Sequence, residues 1–78
     1  MRRNLFCREV ARLEIVVNGE VLEVAAGLSI AALLDQLNVT PRGVAVEVNR
    51  ELVPRSRHAD HAVAGGDQIE IVTLVGGG

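Results

Sequence analysis

Seventy-eight residues make one compact domain, and a domain of this size buries only ~60% of the surface its unfolded chain exposes, which leaves little room for a deep catalytic cavity. The composition is 49% hydrophobic but 1% aromatic, so the core must be built from Val, Leu, Ile and Ala, with Phe6 the sole aromatic. All the basic residues are Arg, and Leu13 to Gly78 sets four of them against nine carboxylates, a formal charge of −5 that lacks the basic face nucleic acid needs and suits a protein partner with a basic surface.

Residues 1–12, MRRNLFCREVAR, follow neither strand nor helix periodicity and are expected to be a poorly ordered N-terminal extension without assigned function. Cys7 is the single cysteine, so neither an internal disulfide nor a thiolate metal site can form within one chain. No apolar run approaches the ~18 residues of a membrane span, and the expectation is a soluble, cytoplasmic protein with no membrane partner.

From Leu13 the pattern becomes regular. Leu13, Ile15 and Val17 alternate with Glu14 and Val16, and Asn18-Gly19 then gives the strongest short-range hairpin signal. A two-residue turn sets Val17 opposite Glu20, Ile15 opposite Leu22 and Leu13 opposite Val24, which gathers the apolar residues on one face. The other face pairs Val16 with Val21 and Glu14 with Glu23, and two like charges directly opposite cost some stability.

Gly27 breaks the second strand. Ser29 is placed to cap a helix in which Ile30, Leu33, Leu34 and Leu37 recur at helical spacing, and the stretch Asn38 to Gly43, with Pro41, ends it. Val44, Val46 and Val48 form a third strand. Asn49-Arg50-Glu51 reads as a turn before a short extended piece at Leu52-Val53, which Pro54 confines to a sheet edge. Residues 55–63 suggest one irregular helical turn with Ser56 as cap. Ala64 to Asp67 make a turn and Gln68 to Val75 the last strand, with Ile69, Ile71 and Thr73 on one face and Glu70, Val72 and Leu74 on the other. The core is expected at Ile15, Leu22, Leu33, Val46, Val48, Ile69 and Ile71. This order is that of an α+β domain, residues 13–75, with one helix packed on one face of a small mixed sheet of four to five strands.

After it come Gly76, Gly77 and Gly78. Without a Cβ such a tail can thread a narrow channel and bring the Gly78 carboxylate to another protein's active site. Other candidates are weaker. His58 and His61 stand at i and i+3 with Asp60 between them, but no further ligand is evident and no metal site is expected; the two histidines read as part of an exposed loop. Ser29 has no base beside it and reads as a cap, and Cys7 reads as a bystander thiol.

Leu13 to Gly78 resembles the ThiS family of sulfur carriers, ubiquitin-like β-grasp proteins of thiamine biosynthesis. The resemblance lies in Asn18-Gly19, Ala25-Ala26-Gly27, Val48-Asn49, Val53-Pro54-Arg55, Gly66-Asp67 with Ile69-Glu70-Ile71-Val72, and the terminal glycines. It departs from the family at His58, where a Trp is usual, and in ending on three glycines rather than two. The resemblance implies a carrier rather than an enzyme. Gly78 would be adenylated by a ubiquitin-activating-like partner (ThiF) using ATP and Mg, with no cofactor bound to this chain. It would then take sulfur from a donor such as a cysteine desulfurase to become a thiocarboxylate, and pass the sulfur to thiazole synthase (ThiG). If first and last strands are neighbours, as in ubiquitin, Val16, Val21, Val72 and Leu74 would form the partner-binding surface, rimmed by Glu14, Glu23 and Glu70. Two alternatives share the fold. One is the small subunit of molybdopterin synthase, which usually carries Pro-Pro where this chain has Val72 to Val75; the other is a β-grasp interaction module with no chemistry at its end.

Overall fold

In the computed structural model, which describes residues 11–74, strands β1 (Arg12–Val17) and β2 (Glu20–Ala25) are joined by Asn18 and Gly19 at φ of 50° and 85°. Two successive positive φ values belong to a type I′ turn, whose twist matches that of the strands it joins. The register is the expected one throughout, from Val17 opposite Glu20 to Leu13 opposite Val24. Arg12 is already in β1, opposite Ala25.

Helix α1 (Ile30–Gln36) starts where Ser29 turns its Oγ to accept the Ala32 N–H at 3.1 Å. The two remaining free donors of its first turn are met from far along the chain: Ile30 N–H donates to the His61 carbonyl and Ala31 N–H to the His58 carbonyl, both at 2.9 Å. It ends at the expected stretch but by a different device. Pro41 is not what stops it; Asn38 takes a left-handed conformation, φ 60°, and donates to the Asp35 carbonyl while Val39 donates to Leu34, the paired bonds of a Schellman motif.

Strands β3 (Val44–Val48) and β4 (Glu51–Val53) form a second hairpin, tighter than the sequence suggested. Glu51 pairs with Val48, so the turn is Asn49-Arg50 alone, with φ of 53° and 74°. Arg50 occupies a position where an L side chain crowds its own backbone. Arg50→Gly is therefore expected to stabilise the protein by about 0.5–1 kcal/mol, the relief of that strain less the greater entropy of the unfolded glycine. The urea midpoint should rise with an unchanged slope; a fall would show that Arg50 makes a compensating contact.

A single turn of 3₁₀ helix (Arg55–Arg57) follows β4. Pro54 stands at its start with no side-chain cap, and Ser56, expected as the cap, lies exposed within the turn. The last strand, β5 (Gln68–Thr73), runs through the middle of a five-stranded sheet of order β2-β1-β5-β3-β4, parallel to β1 and antiparallel to β3.

The core lies between the sheet and α1. Ile15, Ile30, Leu33, Leu34, Val46 and Ile69 are fully buried, and Val24, Val48, Val53 and Val63 close the cluster. Leu22 and Ile71, expected among them, are only partly buried. Leu22 lies on the outermost strand, and Ile71 lies beyond the point where β1 stops flanking β5.

Candidate functional site

The site begins with what holds β5, because that strand leads to the glycine tail. Two asparagines at the first positions of the two hairpin turns do so in parallel fashion. Asn18 donates its backbone N–H to the Ile69 carbonyl at 2.9 Å, and its Oδ1 accepts the Ile71 N–H at 2.8 Å. On the opposite side Asn49 donates its backbone N–H to the Gln68 carbonyl at 2.7 Å and accepts the Gln68 N–H on Oδ1 at 2.9 Å. Each side chain extends the ladder one step past its own strand. The left-handed backbone at both asparagines is what turns the side chain toward β5, and Asn tolerates that conformation better than other residues with a side chain.

Asp67 completes the anchor. Its Oδ2 accepts the Ala64 N–H at 2.8 Å and its Oδ1 accepts Asn49 Nδ2 at 3.0 Å, so the turn into β5 and the β3–β4 turn are tied together. The motif pairs Asn18-Gly19, Val48-Asn49 and Gly66-Asp67 thus converge on one structural task. They fix the strand from which the tail departs.

The face of the sheet turned away from α1 carries the expected docking residues. Val16 and Val21 are opposite one another on β1 and β2, with Val21 exposed and Val16 half-buried. Val72 and Leu74 are both exposed. They do not adjoin the first pair: Val16 pairs with Gln68, and Val72 lies four residues further along β5, about 13 Å away at the rise of a strand. The apolar surface is therefore two groups, with Glu70 between them, rather than one patch. Glu14 and Glu23 face each other beside the first group, and Arg12 lies 3.6 Å from Glu23, offsetting that repulsion at an exposed site. Leu52, 63% exposed on β4 opposite Glu47, adds an apolar side chain that the pattern Leu52-Val53 could have revealed, since its neighbour Val53 is buried.

His58 is not in an exposed loop. It is 4% exposed, its Nε2 donates to the Val53 carbonyl at 3.1 Å, and its own carbonyl accepts from α1. Nδ1 has no partner among the described residues. The imidazole packs where the sequence resemblance leads one to expect a larger ring, and His61 is half-buried nearby in sequence. Among the described residues no group of three His, Cys, Asp or Glu side chains could hold a metal ion, and no helix is long and apolar enough to cross a membrane. Gly76, Gly77, Gly78 and Cys7 lie outside the described residues.

Comparison with known proteins adds four findings. The ThiS family model matches residues 9–78. The chain is 36% identical over 66 residues to the Sulfur carrier protein ThiS of Escherichia coli, an alignment that covers 85% of this chain and 100% of that protein. It is 47% identical over 66 residues to a Thiazole synthase of Paramagnetospirillum magneticum, covering 85% of this chain but spanning only 20% of the length of that relative. Among solved structures, the thiamine biosynthesis protein (ThiS) from Geobacter metallireducens superposes with a TM-score of 0.74 at 33% identity, covering 85% of this chain and 100% of that one, so the five strands and single helix form a β-grasp fold.

Proposed function

This chain belongs to the ThiS family, and from that membership we propose that it is a sulfur carrier whose Gly78 carboxylate becomes the thiocarboxylate that supplies sulfur to the thiazole ring of thiamine. The observation that carries the reading is its similarity to the Escherichia coli sulfur carrier across that protein's whole length. The thiazole synthase relative supports the choice of acceptor, since a chain of that name contains a 66-residue stretch 47% identical to this domain.

The chemistry asks little of the folded domain and much of its tail. A carboxylate oxygen of Gly78 attacks the α-phosphate of ATP on an adenylating enzyme of the ThiF kind, with Mg neutralising the departing pyrophosphate. The resulting mixed anhydride has AMP as a good leaving group. The terminal sulfur of a persulfide, formed by a donor such as a cysteine desulfurase, displaces AMP, and a thiol then reduces the acyl disulfide to release the thiocarboxylate. This chain's part is to present Gly78 in reach of each enzyme in turn. Asn18, Asn49 and Asp67 supply a rigid base on β5, and the two apolar groups with their acidic neighbours supply the docking surface.

Incubation with the adenylating enzyme, ATP, Mg and a sulfur donor is expected to exchange one oxygen of the intact chain for sulfur, with the added mass on the C-terminal peptide. Sulfur on Cys7 instead would sink the reading. The acidic rim gives a second expectation: reversing Glu14 and Glu70 together to Lys should weaken binding to the adenylating enzyme roughly tenfold at low salt and flatten its salt dependence. Titration at two ionic strengths would measure this, and full affinity for the double variant would remove these carboxylates from the interface.

A further inference from the structure

We propose that β5 offers an open sheet edge at Thr73, and that the enzyme taking up the tail binds by adding one of its own strands there; the inference deepens the carrier reading and rests on it. The edge follows from the alternation of backbone groups along β5. Leu74 N–H donates to the Gly43 carbonyl and Asn49 N–H to the Gln68 carbonyl, so the even-numbered residues of β5 turn their polar groups toward β3. The odd-numbered ones turn theirs toward β1: Val16 N–H donates to the Asp67 carbonyl and Asn18 N–H to the Ile69 carbonyl.

On that side β1 ends at Val17, and the Asn18 side chain meets the Ile71 N–H in its place. The next odd residue is Thr73. It is exposed, its N–H and C=O face the side where β1 has ended, and no described residue bonds to either. β5 is thus a central strand over its first half and an edge strand where it approaches the tail.

The sheet's other edges are guarded against strand addition. β2 carries Glu20 and Glu23, and β4 begins with Glu51 and is closed by Pro54. The stretch Val72-Thr73-Leu74 has no such guard, and its outward side chains are apolar. The occupant that fits is an extended segment of the partner protein, apolar beside Val72 and Leu74 and basic toward Glu70, which matches the acidic character of the domain. The terminal glycines follow Leu74 within a few residues in the chain, so strand pairing at this edge would hold the partner close to them.

Thr73→Pro tests the edge selectively. Proline removes the outward N–H but none of the bonds to β3, and it is tolerated where a strand's N–H faces outward. Its KM in adenylate formation is expected to rise about tenfold, from loss of the backbone bond and obstruction by the ring, while Thr73→Val stays within about twofold of wild type because it keeps the backbone. Hydrogen exchange on the unaltered chain gives a measurement independent of whether the proline variant folds. The Thr73 amide should exchange freely in the isolated protein and become protected in the complex with the adenylating enzyme. Activation of the wild-type chain with Thr73 still unprotected, or a folded Thr73→Pro with unchanged KM, would overturn the strand contact and leave the carrier reading standing. Protection of Thr73 without any transfer of sulfur to Gly78 would keep the contact and remove the carrier reading.

Discussion

A chain extended by one alanine after Gly78 should fold normally and accept no sulfur. One added residue carries the carboxylate about 3.4 Å beyond the point at which ATP meets it, and a misplacement of only ~1 Å can cost about 10²-fold in rate. The variant should therefore lose adenylate formation by at least two orders of magnitude, in ATP–pyrophosphate exchange and in intact-mass measurement alike. Gly77→Trp is expected to give the same loss for a different reason, since its side chain would obstruct a channel shaped for glycines. Both should keep the wild-type denaturation midpoint, because β5 ends at Thr73 and, among the described residues, the core cluster draws nothing from beyond Ile71. Normal transfer by the extended chain would show that the terminal carboxylate is not the carrier group.

Leu33→Ala should have the largest effect on stability. Leu33 is 0% exposed at the centre of the α1 face that meets the sheet, beside Ile30 and Leu34. Removing its isobutyl group leaves a cavity that a seven-residue helix capped at both ends cannot easily close. A loss of about 2–5 kcal/mol is expected, a large share of what a domain of this size possesses. Leu52→Ala, on the exposed face of β4, serves as the control and should change stability by no more than about 0.5 kcal/mol. Urea denaturation would measure both, and an unchanged midpoint for Leu33→Ala would contradict the packing described.

Much of this architecture is readable from residues alone, because two-residue turns leave strand register no freedom. Asn18-Gly19 fixed every pair of the first hairpin in advance, and the valine alternation of β3 placed Val46 and Val48 inward. What escaped the sequence was the second task of residues already noticed for a first one. Asn18 and Asn49 read as turn residues, and nothing in their identity shows that their side chains also dock on β5, since that depends on which strand the fold brings alongside. Asn38 lay hidden behind Pro41, the more obvious helix breaker. His58 read as exposed because it is polar; its burial rests on a carbonyl, Val53, that accepts a hydrogen bond only after β4 and the 3₁₀ turn have formed. The outward apolar residues were identifiable one by one, but their division into two groups depends on the offset between β1 and β5, which no local pattern encodes.

The carbonyls of His58 and His61 that cap α1 bear on the route of folding as well as on the folded state. Seven residues are too few for a helix to persist alone, and two donors of its first turn stay unmet until a segment beyond β3 and β4 has arrived. β5 too must await both hairpins before its flanking asparagines are in place. The two hairpins are local, but the helix cap and β5 are completed only by sequence-distant pieces, so the domain should pass between unfolded and folded in one cooperative step. A carrier handed repeatedly between enzymes would then meet each of them with the whole domain formed.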